Sequence, residues 1–228
     1  MATHPDKPEG ATLTRRFEIA IMAKAPIAGF AKTRLIPLLG ADGAAGLQQW
    51  LLQKTVTTAL AARLGPVSLW CAPDCDHPAF MQYAEQGEVT RYPQPEGDLG
   101  ARMLAAAERA PAGVGTVIIG TDCPTLGTDD LLTACHAIEA GHDVAIIPAE
   151  DGGYVLIAVR QAYAELFAHI DWSTPRVMAQ TKQRAHDAGI RLIVFPPKWD
   201  VDQADDFARL LIAFPELHQR NPPSVAIC

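Results

Sequence analysis

Two adjoining stretches decide how this chain folds: FEIAIMA at residues 17–23 and KAPIAGFAKTRL at residues 24–35. The first is almost continuously apolar, which is typical of a strand that is covered on both faces. The second carries the cations Lys24, Lys32 and Arg34 in a loop where that strand ends. Because open α/β sheets bind ligands beyond the carboxyl ends of their strands, the two stretches predict an α/β fold that binds an anion.

The loop of residues 24–35 favours a phosphate-bearing ligand, in particular a nucleotide. Gly29 and its small neighbours let backbone N–H groups approach phosphate oxygens, and the cations supply the opposite charge. The loop is not a Walker motif, because no Gly-Lys-Ser/Thr follows at the required spacing, and it has no G-x-G-x-x-G. A solvated basic loop without a ligand is the alternative interpretation.

The composition favours one large domain in an acidic chain. The 228 residues are 49% hydrophobic, which is enough for a sizeable core, and the formal net charge is −7. This charge argues against a nucleic-acid-binding surface, which needs a basic face. We expect residues 1–16 to be a flexible lead-in, residues 17–215 to form the domain, and residues 216–228 to be a tail without a clear element.

The sequence predicts a cytoplasmic protein. It has no apolar run long enough to span a membrane. Residues 1–16 are polar and lack the apolar middle of a signal peptide.

Apolar runs alternate with helical patterns along the chain, which predicts βα units and a largely parallel sheet. Two consecutive apolar runs, 144–148 and 154–159, are separated by a short stretch with two glycines, so one antiparallel strand is expected to interrupt that sheet. The other predicted strands are 17–23, 67–72, 89–92, 114–119 and 191–195. The predicted helices are 41–64, with a stop at Gly65-Pro66, then 77–86, 101–110, 129–140 with Thr128 as its N-cap, 175–188 and 203–214.

Two further loops carry polar residues that a core does not need. In QPEGDLGARM at residues 94–103, Asp98 stands between Gly97 and Gly100 and caps a helix whose exposed N–H groups could hold a base or a ribose. Taken alone, the stretch favours an ordinary loop-to-helix junction over a ligand site.

Asp122 follows the predicted strand 114–119 in the stretch GTDCPTL, where a carboxylate without a partner is costly. A magnesium ion held by one or two carboxylates and by substrate phosphates is a common solution. An Asp that caps the next turn is the alternative, and the residues alone leave both interpretations open.

The remaining acidic residues fall at turns and at a helix start. Asp151 precedes two glycines, which is a usual turn composition. Asp200 and Asp202 alternate along an extended step, so only one of them is expected to face Asp122. Asp205 and Asp206 start the last helix, where negative charge is favourable in any case.

No motif predicts covalent catalysis. The seven histidines have no metal-ligand spacing such as H-x-x-x-H, and none belongs to a Ser or Cys nucleophile motif. Direct displacement at a metal-bound pyrophosphate fits the residues better, because the protein then mainly positions groups and stabilises charge.

Taken together and in order, these loops resemble the DUF2064 group of the nucleotide-diphospho-sugar transferase superfamily, some members of which are named arsenosugar-biosynthesis glycosyltransferases. The resemblance covers about residues 17–215. Its motifs are MAKAPxxGxxKTRL at 22–35, GDLGxRM at 97–103, GTDCPxL at 120–126, DGGY at 151–154 and DVD at 200–202. It implies a GT-A-type fold, a Rossmann-like three-layer α/β/α sandwich with a mixed, mostly parallel sheet.

The resemblance also implies roles for the residues of each motif. Phosphate contacts fall to Lys24, Lys32 and Arg34, of which Lys24 and Arg34 are also expected to be catalytic. Gly97, Asp98 and Gly100 are expected to lie near the base or ribose. Gly29 and Arg102 are expected to bind the substrate elsewhere. The acceptor side falls to Asp151, Gly152 and Gly153, with Asp151 counted as catalytic.

The resemblance implies a metal cofactor, Mg²⁺ or Mn²⁺. Asp122, which is also counted as catalytic, matches the metal-binding carboxylate of the superfamily, and Asp202 matches its late Asp partner. The usual Asp-x-Asp of glycosyltransferases is reduced here to Thr121-Asp122-Cys123. The number of metal ions is therefore left open.

The leading hypothesis is a metal-dependent glycosyltransferase that moves a sugar from a nucleoside-diphosphate donor to a small-molecule acceptor. The first alternative is a nucleotidyltransferase that joins an NTP to a phosphorylated small molecule and releases pyrophosphate. The second is a non-catalytic nucleotide-binding module. The base, the sugar, the acceptor and the oligomeric state are not determined by the sequence.

Overall fold

A seven-stranded mixed sheet forms the centre of the computed structural model, which describes Leu13 and residues 16–217. The strand order is β3-β2-β1-β4-β6-β5-β7. Strand β6 is antiparallel to both of its neighbours, and every other pair is parallel, so the predicted antiparallel interruption is confirmed. The strands are β1 (Phe17–Lys24), β2 (Val67–Ala72), β3 (Val89–Pro93), β4 (Gly115–Gly120), β5 (Val144–Pro148), β6 (Tyr154–Val159) and β7 (Leu192–Val194).

Helices cover both faces of the sheet, which confirms the three-layer α/β/α sandwich. Buried residues of α1, α2 and α4 pack on one face, and those of α3, α5 and α6 pack on the other. The helices are α1 (Ile36–Ala62), α2 (Pro78–Glu85), α3 (Leu99–Arg109), α4 (Thr128–Glu139), α5 (Ala164–Phe167), α6 (Val177–Asp187) and α7 (Ala204–Ala213).

The apolar run of β1 serves both layers, because successive side chains of a strand point to opposite faces. Ile19 and Ile21 join the cluster beneath α1, α2 and α4. Ala20 and Met22 lie with the cluster beneath α3, α5 and α6. Because both faces of the strand are covered, its sequence is continuously apolar and does not alternate between apolar and polar residues.

A third apolar cluster attaches the end of the chain to α1. Leu210 of α7 packs with Trp199 and Val201 of the preceding segment against Leu47 and Leu51 of α1. Each of the five side chains is at most 7% exposed. This packing brings the segment before α7 back to the loop that follows β1.

The structure differs from the sequence prediction at helix starts and in short elements. Helix α1 begins at Ile36 and is broken at Gly40, whose φ of 71° is not helical. Thr128 is the first residue of α4 and not its N-cap, because Asp130 Oδ2 instead accepts the Gly127 N–H at 2.8 Å. Helix α5 and a 3-10 turn at Thr33–Leu35 are too short to show a periodicity.

Within the described residues, no helix combines the length and the hydropathy needed to cross a membrane.

Candidate functional site

One edge of the sheet gathers the loops that the sequence analysis singled out. All six parallel strands, β1 to β5 and β7, end at this edge, and the antiparallel β6 begins there. The loops of residues 24–35, 94–98 and 120–127 therefore lie on the same side of the molecule as the turn before β6 and the segment after β7. Ligands of open α/β sheets bind at such an edge.

Strand pairing places Asp200 beside Asp151. The parallel pairing of β5 and β7 continues beyond both strands through a bridge between Ala149 and Lys198. The Glu150 N–H donates to the Lys198 carbonyl at 3.0 Å, and the Lys198 N–H donates to Pro148 at 2.9 Å. Asp151 and Asp200 each stand two residues after the bridge, so they occupy neighbouring positions at the edge.

Asp122 is joined to the same segment through its backbone. The Val201 N–H donates to the Asp122 carbonyl at 2.9 Å. Burial, followed by the negative charges of Asp151 and Asp122, raises the pKa of the Asp200 carboxyl to about 6. The Asp200 carboxyl group therefore lies within the electric field of the other two carboxylates.

Lys32 is buried against this acidic group. Its side chain is only 5% exposed, and its ammonium lies 2.6 Å from Asp122 Oδ1. The same ammonium donates to the Val201 carbonyl at 2.6 Å. Asp122, by contrast, has a side chain that is 52% exposed. Lys32 therefore neutralises the inner side of the acidic group while Asp122 faces solvent.

Asp202 lies against a different partner from the one that the resemblance implied. Its carboxylate pairs with Arg34, and its N–H donates to Asp206 Oδ2 at 3.0 Å. The structure thus brings Asp200, rather than Asp202, into electrostatic contact with Asp122. Asp200 is the residue of this pair whose pKa responds to the charge of Asp122, and the role of Asp202 as a metal ligand stays a prediction. The same Asp206 carboxylate accepts the Gln203 N–H, as expected for a helix start.

The loop after β1 presents further groups to solvent. Lys24 at the end of β1 and Gly29 at the loop tip are exposed, and Arg34 has a side chain that is 69% exposed. The neighbouring Phe30 is 77% exposed, which is unusual for an aromatic residue. Sequence analysis did not single out Phe30, although an aromatic residue directly after a loop glycine was a visible signal.

Side-chain hydrogen bonds hold the loop before α3 in its conformation. Asp98 Oδ1 accepts the Ala101 N–H at 2.8 Å, which confirms Asp98 as the cap of α3. Arg102 donates to the Gly97 carbonyl and to the side chain of Gln94, both at 3.1 Å. Gln94 in turn donates to the Trp70 carbonyl at 2.8 Å. Arg102 thus holds the loop in place. The sequence analysis expected Arg102 to contact the substrate and did not predict this positioning role.

Gly100 is buried beneath an aromatic ring. A Cβ at this position would lie 2.6 Å from a ring carbon of Trp172 and 2.7 Å from the Phe167 carbonyl. Sequence analysis placed Gly100 near the base or ribose. The structure gives it a packing role, because the helix must approach Trp172 closely.

The DGGY turn is covered by a segment that sequence analysis missed. Residues 171–176 (DWSTPR) join α5 to α6, and the Met178 N–H donates to the Gly152 carbonyl at 2.9 Å. Asp151 Oδ1 accepts the Gly153 N–H at 2.9 Å, which fixes that carboxylate at the edge of the turn. Trp172 was a detectable signal, since a large aromatic residue among Asp, Ser, Thr and Pro is unusual in a solvent-exposed loop.

The carboxylates fit a divalent cation that is completed by a substrate. Among the described residues, no three His, Cys, Asp or Glu side chains are spaced to hold a metal ion by themselves. Mg²⁺ is typically held by one or two carboxylates together with substrate phosphates and water. Asp122 and Asp200 supply such oxygen donors, and the Lys32 ammonium shows that a cation can sit at Asp122.

Comparisons with known proteins agree with this fold. A family model for DUF2064, described as an uncharacterized protein conserved in bacteria, matches residues 55–174. A comparison with curated proteins found no match.

Solved structures of similar fold include several transferases. One is a protein of Desulfovibrio desulfuricans G20 that is provisionally named a nucleotide-diphospho-sugar transferase. It is 27% identical to this chain, the match covers 90% of this chain and 91% of that chain, and the TM-score is 0.78. Another is the 4-diphosphocytidyl-2C-methyl-D-erythritol synthase of Anaerococcus prevotii, at 11% identity, 87% and 96% coverage and a TM-score of 0.59. A third is a CMP:2-keto-3-deoxy-manno-octonic acid synthetase in complex with CTP, at 12% identity, 89% and 99% coverage and a TM-score of 0.57.

Proposed function

The chain belongs to the DUF2064 family, and on that premise we propose that it is a metal-dependent glycosyltransferase. In this proposal it moves a sugar from a nucleoside-diphosphate donor to a small-molecule acceptor. The observation that carries the proposal is the meeting of the exposed cationic loop after β1 with Asp122 and Asp200 at one edge of the sheet.

The donor diphosphate would lie between the cations and the carboxylates. Lys24 and Arg34 are exposed on the loop after β1 and would bind the phosphate oxygens. Asp122 and Asp200 would hold Mg²⁺ or Mn²⁺, and when bound this ion would act as a Lewis acid toward the departing diphosphate. The loop before α3, which carries Asp98, would lie at the nucleoside end of the donor.

The acceptor would approach from the side of the DGGY turn. Asp151 is exposed, and the Gly153 N–H fixes one of its carboxylate oxygens. We expect the carboxylate to accept a hydrogen bond from an acceptor hydroxyl and to orient it. The covering segment of residues 171–176 packs over this turn and would keep its backbone in place.

The comparisons support a nucleotide-dependent transferase more directly than they support one reaction. The protein of Desulfovibrio desulfuricans carries the name of the superfamily at 27% identity. The two synthetases, at 11% and 12% identity, support the fold alone.

Nucleotidyl transfer is the second candidate, and the exposed Arg34 and Lys24 favour it as much as they favour glycosyl transfer. Cations after the first strand would equally bind the triphosphate of an NTP and the departing pyrophosphate. The two reactions differ in their product, since glycosyl transfer releases a nucleoside diphosphate and nucleotidyl transfer releases pyrophosphate.

A thermal-shift panel tests the proposal without knowledge of the acceptor. The purified chain is melted with nucleoside diphosphates, nucleotide sugars and NTPs, each with and without Mg²⁺ or Mn²⁺. A ligand that binds only the native state raises the melting temperature according to its concentration and affinity. We expect a nucleotide sugar to raise it most when metal is present. No shift with any nucleotide would contradict the glycosyl and nucleotidyl proposals together.

The variant Asp122→Asn tests the metal. Its amide oxygen can still accept the Lys32 hydrogen bond, so we expect an unchanged fold, while the metal-dependent part of the thermal shift and at least about 100-fold of the turnover are lost. Asp187→Asn is the matched control, because this exposed carboxylate ends α6 at the opposite edge of the sheet. Metal-dependent binding that survives in Asp122→Asn would overturn the metal assignment.

A further inference from the structure

We propose that Lys32 is a resident cation of the metal site, which a divalent ion displaces from Asp122 when it binds. The inference rests on the metal in the proposed function and adds a residue that competes with it. It changes the role of Lys32 from a simple phosphate contact to a positioning residue that exchanges partners.

The first argument is the location of the ammonium group. With 5% of its side chain exposed, Lys32 is among the most deeply buried charged side chains of the site. A buried lysine is stable as a cation only when anionic or carbonyl oxygens replace its water. Asp122 Oδ1 and the Val201 carbonyl do so, each at 2.6 Å. These are the hard oxygen donors that Mg²⁺ and Mn²⁺ also prefer.

The second argument is the balance of charge. Asp151 and Asp200 lie at neighbouring positions beyond the Ala149–Lys198 bridge, and Asp122 is hydrogen-bonded to the same segment through Val201. The Lys32 ammonium lies 2.6 Å from Asp122 Oδ1 and is the cation that opposes the repulsion at Asp200. A divalent ion would bring two positive charges to the same carboxylates. An ion bound at Asp122 Oδ1 would compete with the ammonium for that oxygen, and the two positive charges would repel each other.

The third argument is access. The Asp122 side chain is 52% exposed, so an ion can reach it from solvent without opening the core. Lys32 stands three residues after Gly29, in a loop whose tip is exposed. When the ion arrives, the ammonium can turn toward the phosphates of the donor, which supply the negative charge that it loses at Asp122.

This exchange has a measurable consequence in the absence of any nucleotide. The wild-type chain has to lose its Lys32–Asp122 contact before it binds an ion, and that requirement weakens ion binding. Removal of the ammonium abolishes the requirement, so a variant without it should bind the ion more tightly.

The experiment is a titration of Mn²⁺ into the full-length chain without nucleotide, followed by the electron paramagnetic resonance of the free ion. Lys32→Met removes the charge and keeps the length of the side chain. Lys32→Gln is a second variant that keeps a polar end. Lys182→Met removes an exposed lysine of α6 and controls for the loss of one positive charge from the molecule. Circular dichroism and thermal unfolding check that each variant is folded.

We expect Lys32→Met or Lys32→Gln to bind Mn²⁺ at least about tenfold more tightly than wild type, and Lys182→Met to bind it like wild type. Adding Asp122→Asn to the tighter variant should remove the gain. Unchanged or weaker Mn²⁺ binding in the folded Lys32 variants would overturn the inference, because Lys32 would then be a permanent anchor of the loop. Since no nucleotide is present, this outcome is independent of the thermal-shift panel.

Discussion

At the scale of single residues, the site depends on glycines at which a side chain would collide with the backbone. Gly152 has a φ of 97°, and a Cβ there would lie 2.5 Å from the Pro175 carbonyl oxygen. Both the dihedral angle and the contact exclude a larger residue. The turn that presents Asp151 therefore needs Gly152 for its shape, whatever ligand it binds.

We expect Gly152→Ala to lower the free energy of unfolding by at least about 2 kcal/mol, through left-handed strain and the collision with Pro175. Gly46→Ala is the matched control, because Gly46 lies on α1 with nothing within 4 Å of a Cβ. The control should gain about 0.5–1 kcal/mol from helix propensity and a less flexible unfolded chain. Urea unfolding measures both. Equal effects of the two substitutions would contradict this account of the turn.

At the scale of secondary-structure elements, an ion-pair group ties together the strands that carry Asp151 and Asp200. Asp143 precedes β5 and accepts two hydrogen bonds from the Arg191 guanidinium, at 2.9 and 3.1 Å. Arg160, after β6, lies 3.3 Å from the same carboxylate. Because Arg191 precedes β7, one carboxylate joins three strands at the edge opposite the site.

The pH dependence of stability should report this group. The hydrogen bonds and charge of Arg191 lower the pKa of Asp143 from 3.8 to about 2. A lowered pKa in the folded state means that the stabilisation is fully present above about pH 4 and is lost as the pH falls from about 4 toward about 2. We therefore expect Asp143→Asn to be less stable than wild type at pH 6, with a difference that shrinks below pH 4.

Urea unfolding at a series of pH values from 6 down to 3 checks the Asp143 prediction. Asp42→Asn serves as a control, since Asp42 is an exposed carboxylate of α1 and lies outside this ion-pair group. A difference between Asp143→Asn and wild type that stays constant across the series would show that the ion pairs do not produce it.

At the scale of the whole molecule, three apolar clusters are linked through the sheet and α1. Two of them fill the opposite faces of the sheet, and the third joins α7 to α1. Helix α1 contributes to both the first and the third cluster. On this basis we propose that residues 17–215 fold as one cooperative domain. Residues 1–12, 14, 15 and 218–228, which include most of the expected lead-in and tail, lie outside the described residues.

The four tryptophans test the single domain. Trp70 and Trp172 belong with the cluster of α3, α5 and α6, whereas Trp50 and Trp199 belong with the cluster of α7. We expect the fluorescence of both pairs and the far-ultraviolet circular dichroism to change at one urea concentration. Variants with Phe in place of one pair isolate the signal of the other. Separate transitions for the two pairs would mean that the α7 cluster unfolds independently.

Much of the layered fold could be predicted from the sequence. The strand bounds 67–72, 144–148 and 154–159 agree with β2, β5 and β6 to the residue. These runs are apolar except for Ser68 and are bounded by glycine, proline or charged residues, so local pattern and final structure coincide. Helix starts were less predictable, because caps such as Asp130 act through side-chain contacts that the pattern does not contain.

The candidate site was only partly predictable, since its residues come from loops that are far apart in the chain. The loops themselves stand out because they place Lys24, Arg34, Asp122 and Asp151 where strands end. Their mutual contacts do not follow from that. The covering segment of residues 171–176 and the exposed Phe30 carried weaker signals and were missed.

By itself, the sequence determined the α/β layers, the antiparallel strand and the edge of the sheet at which charged loops would meet, because each depends on local apolar patterns. The tertiary structure decided which charges meet there. It paired Arg34 with Asp202, placed Asp200 beside Asp151, and buried Lys32 against Asp122. Those choices depend on the register of β5 with β7, which pairs Val144 with Leu192, and on the packing of α7 against α1, which brings Leu210 to Leu47. Such contacts join residues that are far apart in the chain, so a local pattern does not contain them.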